Sequence, residues 1–69
     1  MKRLDLHGVR HEDVDRIVEN FVLLNSPPMR IITGNSEKMK EIVRETCEVQ
    51  GFVIDDTWNT NHGTMIIRS

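Results

Sequence analysis

The chain has 69 residues, of which 38 % are apolar and 29 % charged, the balance of one ordinary soluble domain, and its longest apolar run, Phe21 to Leu24, is far too short to span a bilayer. A net charge of −2 excludes bulk attraction to polyanions, so any contact with nucleic acid must come from a local cluster of Lys and Arg. Cys47 is the single cysteine, which leaves no internal disulfide and no thiol partner for a zinc cluster; with no apolar leader behind Lys2 and Arg3, the expected location is cytoplasmic.

In chain order, Leu4 and Leu6 alternate with Asp5 and His7, the period of a half-buried strand over residues 2–7 that ends at Gly8. Val14, Ile17, Val18, Phe21 and Leu24 then follow the spacing of an amphipathic helix over residues 12–24, with Glu12 and Asp13 at its positive end. Asn25, Ser26, Pro27 and Pro28 stop it, and residues 29–33 make a short strand whose apolar residues do not alternate, as fits a central place in a sheet. Thr33, Gly34, Asn35 and Ser36 form a strand-to-helix turn with Asn35 or Ser36 as the helix cap. Helix two carries Met39, Ile42, Val43, Thr46 and Cys47 on one stripe and closes at Gly51. Residues 52–58 predict a third strand, residues 59–63 a hairpin loop and residues 64–68 a fourth strand.

The resulting βαβαββ order predicts a two-layer α/β (α+β) sandwich, a four-stranded mixed sheet with both helices on one face, because right-handed crossovers progressing in one direction put them there. If the first three strands are parallel, their carboxyl ends share one edge, where open α/β sheets bind ligands. Residues 8–11, 33–36 and 59–63 would then be neighbours.

Side chains two apart on a strand share a face and lie roughly 6.5 Å apart, so Asp5 and His7 project together, opposite the leucines. An imidazole titrating near neutral pH can move a proton during phosphodiester cleavage, and a nearby carboxylate can orient it. Asp5 and His7 are the catalytic candidates on that argument, with His62 a further histidine for the same edge. The structural alternative has Asp5 accepting backbone N–H bonds and His7 closing the turn, as short polar side chains at strand ends do. Asp5, His7 and His62 are too thin a donor set for a metal site, so neither metal nor cofactor is expected.

The run LDLHG at residues 4–8, an acidic helix start, an Ile-Ile-x-Gly turn into a second helix and a terminal Gly63-Thr64 strand together resemble the small MutS-related (Smr) domain over nearly the whole chain. The first motif stands unaltered, whereas the family's His-Gly-x-Gly is here Thr33-Gly34-Asn35-Ser36. The resemblance implies a fold like the C-terminal domain of bacterial translation initiation factor three, with the last strand antiparallel between strands two and three. It also implies binding of DNA or RNA, structured or branched, and in some members metal-independent endonucleolytic cleavage. Catalysis would fall to Asp5 and His7, and binding to Gly8, Thr33, Gly34, Asn35, Ser36 and Gly63, with His62 just before the last.

Lys2, Arg3, Arg10, Arg30, Lys38 and Arg68 could form a positive rim, and Arg10 and Lys38 lie nearest the proposed edge. Met29, Met39 and Met65 read as core, His11 as exposed, and Trp58 as closing the core or stacking a base. The pairs Ile31-Ile32 and Ile66-Ile67 put aliphatic side chains on both sheet faces, which predicts an exposed apolar strip and a homodimer or partner on the open side. The expectation is a nucleic-acid-binding domain with endonuclease activity; a non-catalytic nucleic-acid or protein adaptor is the alternative.

Overall fold

In the computed structural model, which describes residues 1–55 and 63–69, the elements follow as β1 (Lys2–Asp5), α1 (His11–Leu24), β2 (Met29–Ile32), α2 (Glu37–Val49), β3 (Val53–Asp55) and β4 (Thr64–Arg68). The first, second and fourth strands and both helices agree with the periodicity to within two residues. Asp56, Thr57 and Trp58, expected to continue the third strand, lie outside the described residues, as do residues 59–62 of the expected hairpin loop.

The sheet order is β1-β2-β4-β3, with β1 parallel to β2 and β4 antiparallel to both β2 and β3. The last strand is thus inserted between the second and third, and β1, β2 and β3 point the same way. Both helices pack on one face, where Val14, Val18 and Val22 of α1 and Met39, Val43 and Cys47 of α2 meet Leu6, Met29, Ile31, Met65 and Ile67 of the sheet layer.

Two helix ends explain themselves chemically. Asn25 Nδ2 donates to the Phe21 carbonyl at 2.9 Å and closes α1. At the end of α2, Gly51 N–H bonds the Glu48 carbonyl and Phe52 N–H the Cys47 carbonyl, both at 3.0 Å, the paired bonds of a Schellman motif that turns Phe52 back against the core.

Three packing expectations change. Leu24 is 81 % exposed and Val22 is buried in its place, because at 3.6 residues per turn Leu24 sits about 120° round the helix from Val18. β2 is central but not covered on both sides, since Met29 and Ile31 are buried whereas Arg30 and Ile32 are half-buried on the open face. Among the described residues that open face is mixed and not a continuous apolar strip: Ile66 is 1 % exposed, Ile32 half-buried and Val53 exposed, and Arg3, Arg30, Asp5, Asp55 and Arg68 share the face with them. Among the described residues no helix is long and apolar enough to cross a membrane.

Cys47 is fully buried at the helix–sheet interface, and burial, with a smaller contribution from the Glu48 charge, pushes its thiol up to about 11. Only the unfolded chain then ionises the thiol as pH first rises past its ordinary value. Stability should be complete below about pH 9 and decline between pH 9 and pH 11, with that slope absent in Cys47→Ala; denaturant melts across this range would measure it. The folded protein should also resist thiol-directed reagents until unfolded.

Candidate functional site

A helix that follows a parallel strand begins where that strand ends, so the N-termini of α1 and α2 share one rim with the carboxyl ends of β1 and β2. Leu6 extends the ladder past the end of β1, its N–H donating to the Ile32 carbonyl at 3.0 Å. The chain then reverses. Val9 N–H bonds the Leu6 carbonyl at 3.0 Å, and Gly8 has φ +79° while His7 has negative φ, the pattern of a type II turn that asks for glycine at its third position.

This turn decides what Asp5 and His7 do locally. Asp5 Oδ1 accepts the His7 backbone N–H at 2.9 Å, and both residues are exposed. The carboxylate therefore holds the turn, as in the structural alternative drawn from sequence. Among the described residues nothing hydrogen-bonds the His7 imidazole, so the expected orientation of the ring by Asp5 is not present, and the ring stands free at the turn's second position.

The second turn is tied to the start of β4. The Gly63 carbonyl accepts the Thr33 N–H at 2.7 Å and the Gly34 N–H at 3.0 Å, and the buried Thr33 hydroxyl lies 3.2 Å from the same oxygen and 3.0 Å from the Gly34 carbonyl. Ser36 is the N-cap of α2, its Oγ accepting the Met39 N–H at 3.1 Å. The amides of Thr33, Gly34 and Met39 are thus engaged within the chain. A phosphate at this turn would have to be met by the remaining amides and by side chains.

Of the residues expected at the edge, Gly8, Arg10, Thr33, Gly34, Asn35, Ser36, Lys38 and Gly63 do flank these turns, whereas His62 lies outside the described residues. Arg10 precedes α1 and is paired at 3.4 Å with Glu12, both strongly exposed, an arrangement that contributes little and yields easily to another anion. Lys38 stands exposed in the first turn of α2 beside Glu37. Lys2, Arg3, Arg30 and Arg68 lie along the strands, away from the turns. Two grooves open elsewhere: one of about 520 Å³ between the helices, lined by Glu12, Asp15, Glu19 and Glu45 among others, and one of about 490 Å³ beside Arg3 and Arg30. Among the described residues no three His, Cys, Asp or Glu side chains cluster so as to hold a metal ion.

What sequence reasoning missed is the lock between Thr33-Gly34 and Gly63. Its signal was a glycine at each of two strand boundaries, but nothing local says that they touch.

No family model, curated protein or solved structure matches the chain.

Gly63 adopts φ +62°, and a Cβ there would fall 2.6 Å from the Gly34 backbone, whereas a Cβ on Gly8 would meet open space. Gly63→Ala should therefore cost well over 1 kcal/mol, and Gly8→Ala only about 1 kcal/mol from its backbone conformation. Urea unfolding of the two variants checks the order; equal midpoints would contradict the lock.

Proposed function

We propose that this chain is a nucleic-acid-binding domain of the small MutS-related type, which meets the phosphates of structured DNA or RNA along the rim formed by the β1–α1 and β2–α2 turns. The observation that carries this is the convergence of two helix N-termini with exposed His7, Arg10 and Lys38 at one edge of the sheet. Helix N-termini carry partial positive charge and unpaired amides, and a lysine or arginine beside them adds a mobile cation. Glu12, Asp13 and Glu37 in the first helical turns oppose this field, which suits modest and salt-sensitive binding. The unaltered LDLHG run and the insertion of β4 between β2 and β3 support the family reading.

One observation favours a second reading, metal-independent endonucleolytic cleavage: His7 is exposed and its ring has no hydrogen-bond partner among the described residues, as a proton-transfer group awaiting a substrate would be. Against it, the Asp5 carboxylate is engaged by a backbone amide and does not position that ring.

Gel retardation of an RNA hairpin and a branched DNA duplex, at several salt concentrations and with a chelator present, separates these. The binding reading expects retardation without products. It also expects Arg10→Gln and Lys38→Gln each to weaken binding and to reduce the slope of log affinity against log salt by about one. Products that vanish in His7→Ala would select cleavage. No retardation of either substrate would overturn both readings.

A further inference from the structure

The open face of the sheet carries a pairing that the fold itself does not require. Arg3 and Arg30 are register partners on parallel β1 and β2, on the side opposite Leu4 and Ile31. Adjacent strands lie about 4.8 Å apart, so two guanidinium-bearing side chains start side by side, and like charges placed so destabilise a sheet. Arg30 is half-buried, and its Nε is shut off from solvent with no hydrogen-bond partner. A buried donor left unmatched, above all on a charged group, is unfavourable.

The acid in the same register row does not resolve this. Asp55 lies two strands away from Arg30, beyond Ile66, and pairs with Arg68. Beside the two arginines opens a groove of about 490 Å³, lined by Met1, Lys2, Arg3 and Arg30. One place on the surface thus combines two neighbouring guanidiniums, a further cation and room for a ligand, and the fold leaves one donor of this pair without a partner. A carboxylate could answer one guanidinium through a fork. A tetrahedral oxyanion with several acceptor oxygens can answer both at once.

We infer that Arg3 and Arg30 form a binding site for a phosphate group on the open sheet face, separate from the rim. Asp5 is on the same face, roughly 6.5 Å along β1 from Arg3, and its charge favours approach from the Lys2 end of the groove. The phosphate can come from the backbone of a nucleic acid or from a free phosphate. Arg30 supplies its Nη donors, its Nε being closed to solvent, and Arg3, on the edge strand, closes on the other side.

The test follows the arginine Nε–H resonances by ¹H–¹⁵N spectroscopy while the protein is titrated with inorganic phosphate, against sodium chloride at equal ionic strength. A parallel arm uses a short single-stranded oligonucleotide without terminal phosphates. The expected result is a saturable shift of the Arg30 Nε–H with at least one of the two, abolished in Arg3→Gln and in Arg30→Met and kept in Arg10→Gln/Lys38→Gln. A response to the oligonucleotide assigns the phosphodiester backbone; a response to inorganic phosphate alone assigns a free phosphate. If neither moves the resonance beyond the chloride control, or if Arg3→Gln leaves the response intact, the site does not exist. Binding at the rim is read by gel retardation in the Arg10 and Lys38 variants, so failure here and failure there are distinguishable.

Discussion

The carbonyl of Gly63 is the point on which the rim depends. It takes two backbone N–H bonds, from Thr33 and Gly34, and stands within reach of the Thr33 hydroxyl, so the β2–α2 turn hangs from the residue just before β4. The approach is close enough that a side chain at Gly63 would strike the backbone of Gly34. Because β4 runs antiparallel between β2 and β3, its first residue arrives at the carboxyl end of β2, and backbone bonds alone close that corner of the molecule. Thr33 is the buried polar residue of the described part of the chain, and these contacts are what its hydroxyl needs in order to be buried without loss.

The same lock sets the electrochemical character of the rim. Amides that a glycine-rich turn would leave open to an anion are here engaged by Gly63 and by the Ser36 cap, which shifts the burden of binding from backbone to side chains. Arg10 and Lys38 are exposed, and exposed cations give long-range attraction more than tight, shaped recognition. Asp5 follows the same economy: its carboxylate stabilises the turn that displays His7 and leaves the ring unconstrained.

The two faces of the sheet solve different problems. One buries Leu6, Met29, Ile31, Met65 and Ile67 beneath two helices and supplies the hydrophobic stabilisation of a chain too small for a deep core. The other mixes Ile32 and Ile66 with arginines and acids, and the charges there make the two ends of the sheet unequal: Arg68 is matched by Asp55 on the β3 side, whereas Arg3 and Arg30 stand together on the β1 side. Charged side chains on β1 also guard an edge strand against pairing with another sheet.

Local chemistry was legible in the residues. Period two in LDLH, the stripes Val14-Val18 and Met39-Val43-Cys47, a cap at Asn35 or Ser36 and the Gly51 stop determined where strands and helices form and which helix faces are buried, because each depends on residues within a turn or two of one another. The element order, with right-handed crossovers, also predicted the edge that the β1–α1 and β2–α2 turns share. Tertiary structure alone decided the rest: that Gly63 receives Thr33 and Gly34, that Ile66 is covered, and that Arg3 stands beside Arg30 in register. The physical reason is common to all three. Each is a competition for one partner among groups distant along the chain, and its outcome depends on which strands lie side by side and in what register, which no short stretch of sequence encodes.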